Sequence, residues 1–320
     1  KRKNPTQNGQ TSYLAIMSQY LRSLKEVRQF DNLEFLAKQV VEGFMVGLHK
    51  SPFHGYSVEF AEHRLYNPGE SIKYLDWKVF ARTDRMYVKR YEEETNLRCQ
   101  LVLDVSNSMF FPKGEHRTNK MHFSAVSAAA LMEMMQKQRD AVGLTLLADN
   151  IEEWIPATSN RANIARIYHN LEQLIQGESE YGGTKLSSNL HVLAEQLPNR
   201  SLIVLLTDGL AEENSEELIE ALRHLTFKKH EVILYHIMDS EYEMDFKFPN
   251  RPLRMIDMET GQMVKVQPHA IKEEYRKMME AKFKALDLAC RKLKIDRVEA
   301  DIRREFGQIL FPYLKKRSKK

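Results

Sequence analysis

The sequence predicts an α/β fold, a mainly parallel sheet flanked by helices and preceded by a helix with an extended or β-rich stretch. Two observations predict it. Short apolar runs at residues 99–103, 141–147, 202–206 and 232–237 read as strands buried on both faces. Helical stretches at about 117–138, 160–175, 186–196 and 214–226 alternate with them, which is the pattern of βαβ units.

The elements follow in order. Residues 1–12 are polar and rich in Asn, Gln and Thr, and the whole segment 1–30 is expected to be disordered or partly helical. An N-terminal region spans 31–95. It opens on a helix, because Leu33, Leu36, Val40, Phe44 and Leu48 recur at helical spacing with Asp31 or Asn32 available as N-cap. From Ser51 to Glu94 no single period holds. Pro, Gly and many charges mix with Tyr56, Phe60, Tyr66, Tyr74, Trp77, Phe80, Tyr87 and Tyr91, although Arg85 to Tyr91 alternates like a strand. The main domain occupies 96–316. Ile151 to Ile155 reads as an antiparallel edge strand, and Leu131-Met132-Glu133-Met134-Met135 as helix core rather than a binding groove. Pro249, Pro252 and the turn Glu259-Thr260-Gly261-Gln262 mark a hairpin inserted at about 241–268. A long helix follows with Ile271, Tyr275, Met278, Phe283, Leu286 and Cys290 on one face. A strand near 295–300, a last helix and a basic tail at 317–320 complete the chain.

Composition bounds the function classes. A 320-residue chain with 42% hydrophobic residues can bury a large core. No apolar run reaches the roughly eighteen residues of a membrane-spanning helix, and no signal-peptide pattern opens the chain. Cys99 and Cys290 lie far apart in apolar segments, which fits two core thiols in a reducing compartment; a cytoplasmic location is expected, with membrane association through basic tails as a variant of it. The formal charge of +4 is terminal. Lys1, Arg2, Lys3, Lys315, Lys316, Arg317, Lys319 and Lys320 carry eight positive charges, so the body between them is at −4. No basic nucleic-acid-binding face is expected.

Three motifs carry chemistry. Asp104-Val105-Ser106-Asn107-Ser108 follows the first strand, Thr207-Asp208-Gly209 follows the 202–206 strand, and Gly182-Gly183-Thr184 precedes the 186–196 helix. Open parallel sheets bind ligands at the carboxyl ends of their strands. Two carboxylates and three hydroxyls make an all-oxygen set, suited to Mg²⁺ or Mn²⁺ rather than Zn²⁺. In Asp-x-Ser-x-Ser every second side chain points the same way, so one loop presents three oxygens. Each motif also has a plainer explanation: Ser106 and Ser108 as helix caps, Thr207-Asp208-Gly209 as an ordinary turn, and Gly182-Gly183-Thr184 as a loop ending in an N-cap.

Taken together, Asp104, Ser106, Ser108, Thr184 and Asp208 resemble the metal-ion-dependent adhesion site of von Willebrand factor A domains. Upstream, Gly47-Leu48-His49-Lys50-Ser51-Pro52-Phe53-His54-Gly55, Glu59-Phe60-Ala61-Glu62-His63-Arg64, Tyr66-Asn67-Pro68-Gly69-Glu70, Asp76-Trp77-Lys78, Ala81-Arg82-Thr83-Asp84-Arg85 and Lys89-Arg90-Tyr91-Glu92-Glu93-Glu94 form a second signature. It resembles the bacterial domain-of-unknown-function family 58, whose members place this block before a von Willebrand A-like domain. The resemblance implies association with MoxR-type AAA+ ATPases and a role in chaperone-like assembly or maturation. His49, His54 and His63 match no zinc spacing. The mixed charge around Trp77, Tyr87 and Tyr91 fits a salt-bridged hairpin or a protein-docking surface better than a nucleic-acid platform.

The expected function is a protein-binding module in which an acidic residue of a partner, a MoxR-type AAA+ ATPase or its client, completes the coordination of Mg²⁺. The alternative is a Mg²⁺-dependent phosphatase-like hydrolase with Asp104 as nucleophile. Haloacid-dehalogenase-type sites carry a second Asp where this chain has Ser106, and neither a P-loop, His-Glu-x-x-His nor Gly-x-Ser-x-Gly is present. The chain is therefore expected not to be an enzyme.

Overall fold

The structure is a computed structural model that describes residues 32–49, 63–65, 81–82, 87–89, 97–114, 118–177, 185–210, 215–259 and 261–317. The polar N-terminal stretch, most of the charged aromatic block between Ser51 and Glu94, and Gly182-Gly183-Thr184 lie outside the described residues. The chain divides into two compact units, one containing the helix up to Phe44 and the chain from Leu97 onward, the other Met45–Asn96.

In chain order the elements are α1 (Leu33–His49), β1 (His63–Leu65), β2 (Tyr87–Lys89), β3 (Arg98–Asp104), α2 (Lys120–Lys137), β4 (Ala141–Leu147), β5 (Ile151–Thr158) and α3 (Arg161–Gln176), followed by α4 (Leu186–Gln196), β6 (Leu202–Thr207), α5 (Ser215–Phe227), β7 (Glu231–Met238), β8 (Leu253–Ile256), β9 (Met263–Val266), α6 (Pro268–Lys292), β10 (Asp296–Asp301) and α7 (Gly307–Arg317). In the smaller unit β1 and β2 pair antiparallel, with His63 opposite Lys89.

The larger unit is built on a six-stranded sheet of order β10-β7-β6-β3-β4-β5. Every pairing is parallel except β4 with β5. This is the mainly parallel α/β sheet expected. The inner strands are continuous apolar runs because helices cover both faces; β6 is buried along its whole length. The edge strand β5 instead mixes buried and exposed positions and meets β4 with two register irregularities. Gly143 sits at one of them. A Cβ there would stand 2.3 Å from Gln100 Oε1 and 2.5 Å from the Ile155 carbonyl oxygen, so only glycine fits.

One face of the sheet packs Val102, Ile203, Leu205, Val232 and Leu234 against Leu190 and Leu193 of α4, Leu222 and Leu225 of α5, and Leu286 of α6. The other is covered by α2, against which α3 and α7 pack. Residues Lys120 to Met135 of α2 are all buried, so Met132, Met134 and Met135 are core, as their spacing within a helix predicts. Cys99 and Cys290 are free thiols inside this core.

Three details differ from the sequence expectation. On α1 the buried stripe is Leu33, Leu36, Ala37 and Val41, with Val40 only half-buried. On α6 it is Met279, Phe283, Leu286 and Cys290, whereas Met278 is 58% exposed; the stripe follows a 3.6-residue period, which places Met279 four residues before Phe283. At the C-terminus α7 runs through Arg317, and Lys316 and Arg317, counted as terminal basic charges, pair with carboxylates of the larger unit. Lys316 pairs with Asp296 at 2.7 Å and Arg317 with buried Asp140 at 3.1 Å.

Candidate metal centre

Connectivity sets where the site lies. From β3 the chain winds outward through β4 and β5, then returns to the other side of β3 through β6, β7 and β10. The winding reverses between β3 and β6, and it is outside the carboxyl ends of the strands at such a point that open α/β sheets bind ligands. Asp104 ends β3, and Asp208 directly follows β6. The strands are hydrogen-bonded neighbours in register, Leu103 opposite Leu206, so Asp104 emerges beside Thr207, one residue before Asp208.

Both are buried, Asp104 at 0% exposure and Asp208 at 1%, along with Ser106 at 1%. The Ser106 N–H donates to Asp104 Oδ1 at 3.0 Å and the Thr207 hydroxyl to Asp104 Oδ2 at 2.6 Å. Asp208 Oδ1 accepts the Leu210 N–H at 3.0 Å. Ser106 Oγ and Ser108 Oγ lie 3.1 Å apart. Interaction with the Ser106 hydroxyl favours the ionised form of Asp104, and the Ser108 hydroxyl does the same for Asp208. Gly209 turns the chain after Asp208 at φ +61, a backbone region that glycine enters without strain.

The serines are not helix caps. Ser106 precedes the single 3₁₀ turn Asn107–Phe110 and makes no side-chain cap bond. The helix α2 is capped instead by Asn119, whose Oδ1 accepts the His122 N–H at 2.7 Å. Thr207-Asp208-Gly209 is a turn, with the Gly209 N–H on Thr207 Oγ1, but its Thr and Asp side chains both face the neighbouring strand's site. Thus Asp104, Ser106, Ser108 and Asp208 come together. Thr184 lies outside the described residues.

Several further residues shape the site. Lys120, the first residue of α2, is 1% exposed and places Nζ 2.7 Å from Asp208 Oδ2 and 2.5 Å from Glu243 Oε1. Glu243 belongs to a π-helical turn, Ser240–Met244, after β7. His236 Nε2 lies 2.9 Å from the Asp208 carbonyl oxygen, and Arg297 stands 2.9 Å from its Nδ1. Arginine only donates, so Nδ1 accepts and Nε2 carries the proton of a neutral ring. Burial and the Arg297 charge push the His236 pKa down to about 3, in agreement with a neutral ring. Asn107 Nδ2 donates to the Met258 carbonyl at 3.0 Å, which ties the serine loop to the β8–β9 hairpin. Sequence pattern offered one clue to this group: a lysine opening a helix opposes the helix dipole and asks for a carboxylate partner.

The electrostatics fit a cation. Burial, and then the charge of Asp208, push the Asp104 carboxyl up to about 6, although Thr207 and Ser106 hydrogen bonds oppose the rise. Burial also opposes ionisation of Asp208, but the Lys120 charge and hydrogen bond, with Leu210 and Ser108, outweigh it and hold its pKa below the ordinary carboxylate value. Among the described residues no three His, Cys, Asp or Glu side chains converge as a ligand cluster. An ion between the aspartates would therefore rely on the serine hydroxyls, the all-oxygen donor chemistry of Mg²⁺ or Mn²⁺.

Comparison with known proteins adds the family. Uncharacterised proteins of Mycobacterium tuberculosis and Mycobacterium bovis are each 25% identical over 207 residues, 65% of this chain and 63% of the relative's own length. The match thus spans less than two thirds of those curated relatives. Among solved structures, an aerotolerance-related membrane protein from Bacteroides fragilis covers 69% of this chain and 99% of its own at 15% identity and a TM-score of 0.43. The hypothetical protein BatB from Bacteroides thetaiotaomicron covers 70% and 100% at 15% identity and a TM-score of 0.40. The von Willebrand A domain of SpRpn10 covers 67% and 94% at 13% and 0.39. A family profile described as protein of unknown function DUF58 matches residues 62–285, and with that match over most of its length this chain belongs to the DUF58 family.

Proposed function

We propose that this chain is a protein-binding module whose carboxyl-end site holds Mg²⁺ or Mn²⁺ and captures an acidic side chain of a partner. The observation that carries this reading is the convergence of two buried carboxylates and two serine hydroxyls at the point where the sheet winding reverses. Ser106 and Ser108, with Thr184, would ligate the ion, and Asp104 and Asp208 would supply charge directly or through water. The bound ion supplies a Lewis-acidic coordination position for the partner's carboxylate. Ser108 is the only one of the four described residues that is more than marginally exposed, so the partner approaches over it. The hairpin tied to Asn107 offers an exposed flank, where Ile256 and Met263 lie opposite one another and Arg254 pairs with Lys265.

Binding is favoured over catalysis. Both Asp104 oxygens accept hydrogen bonds, which lowers their nucleophilicity, and the second Asp of a haloacid-dehalogenase-type site is replaced by Ser106. The partner class follows the family resemblance: a MoxR-type AAA+ ATPase or its client. The test is co-purification of the tagged chain with a MoxR-type ATPase of the same cell, in Mg²⁺ and in EDTA, beside an Asp104→Ala variant. Recovery in Mg²⁺ that is lost in EDTA and in the variant is the expected outcome. Equal recovery in all three would reject metal-bridged recognition.

A further inference from the structure

A lysine is almost never fully buried unless paired, because taking an ammonium out of water costs several kcal/mol. Lys120 meets that cost at an unfavourable place, the start of a helix, where the dipole repels a cation. Its Nζ sits 2.7 Å from Asp208 Oδ2 and 2.5 Å from Glu243 Oε1, so the ammonium is held between two carboxylates beside the site. The two carboxylates that share this charge are held differently. Glu243 is anchored from behind, its Oε2 accepting the Asp239 N–H at 2.8 Å while Oε1 faces Lys120. Asp208 faces Lys120 with Oδ2, while its Oδ1 accepts the Leu210 N–H at 3.0 Å. Asp104, Asp208 and Glu243 are three carboxylates against one contacting ammonium. The shortfall is the charge of one divalent ion.

We propose that Lys120 is a tethered counter-cation that holds Asp208 in the absence of metal and sets how tightly the site binds a divalent ion. An arriving ion competes with the ammonium for Asp208, and Glu243 keeps the ammonium as Asp208 turns to the ion. Lys120 thereby weakens binding of the ion alone, and a partner carboxylate that adds negative charge tips the balance. This inference rests on the metal-site reading above.

Mn²⁺ titration of the full chain, followed by the electron paramagnetic resonance signal of free Mn²⁺, tests it. Lys120→Met is expected to bind Mn²⁺ at least about tenfold more tightly than the wild type, from the loss of a charge at contact distance. Glu243→Gln is expected to bind at least about tenfold more weakly, since its ammonium leans on Asp208 alone. Lys282, which senses the Asp208 charge without a hydrogen bond to it, is the control for charge at a distance; Lys282→Met should change affinity less than about threefold. Thermal melts give a second readout, with Lys120→Met melting below the wild type in EDTA and regaining the difference in Mn²⁺. If Lys120→Met fails to fold, the Glu243→Gln titration decides. Mn²⁺ affinities equal across wild type, Lys120→Met and Glu243→Gln, but abolished by Asp104→Ala, would overturn this inference and leave the metal site standing. A Lys282→Met effect as large as that of Lys120→Met would also overturn it. No Mn²⁺ binding by any form would remove both.

Discussion

The two ends of the sheet bury carboxylates in opposite ways. At the amino end Asp140, just before β4, is enclosed by donors: the Leu97 N–H at 3.0 Å, Arg317 at 3.1 Å and the Tyr313 hydroxyl at 3.4 Å. One negative charge meets one positive charge, and the last helix is pinned to the sheet. At the carboxyl end Asp104 and Asp208 lie at the ends of neighbouring strands, and the single ammonium in contact is shared with a third carboxylate. A saturated carboxylate fastens the fold. An under-neutralised pair keeps a demand for positive charge that the fold itself does not meet.

Three substitutions sharpen that contrast. The largest effect belongs to the amino end. Asp140→Ala strands Arg317 and the Leu97 N–H, while Tyr313 keeps its bond to Gln138, and should lower unfolding free energy by about 3 kcal/mol with no change in denaturant slope. The Mg²⁺ dependence of its melting should match that of the wild type. A variant as stable as the wild type would show that α7 is held by its apolar contacts alone. At the carboxyl end the sign reverses. Asp104→Asn removes one of two adjacent like charges and keeps an oxygen to accept the Ser106 N–H. It should gain about 1 kcal/mol in EDTA while losing any Mg²⁺-induced rise in melting temperature. Destabilisation in EDTA would mean that the aspartates do not repel at net cost. Ser108→Ala is the smallest change to the fold, within about 0.5 kcal/mol in EDTA, yet it should weaken Mn²⁺ binding roughly tenfold in the same titration. Unchanged Mn²⁺ affinity would remove Ser108 from the ligand set.

Much of this contrast was legible before any coordinates. Buried parallel strands announce themselves as unbroken apolar runs, and Asp104 and Asp208 fall at strand ends by inspection. Even the antiparallel edge strand could be read, because Ile151 to Ile155 follows β4 too closely for a crossover helix. Which carboxylates the neutralisers meet was not legible. Lys120 is 88 positions from Asp208 and 123 from Glu243, and no local period links them. Arg317 looks like part of a solvated tail until the fold places it 177 positions away against Asp140. Helical stripes were read correctly in kind but displaced by one residue at Val40 and Met278, where two adjacent apolar residues compete for one face.

The capping of α2 by Asn119 carries a last consequence. The loop that presents Ser106 and Ser108 is relieved of any duty in starting a helix, since Asn119 performs it eleven residues after Ser108. Binding chemistry and helix initiation are thus written in separate letters of the sequence. Substitutions can drift through Ser106 to Ser108 and re-tune what the site prefers while α2 and the core behind it stay intact, which makes this corner of the molecule easy for selection to revise.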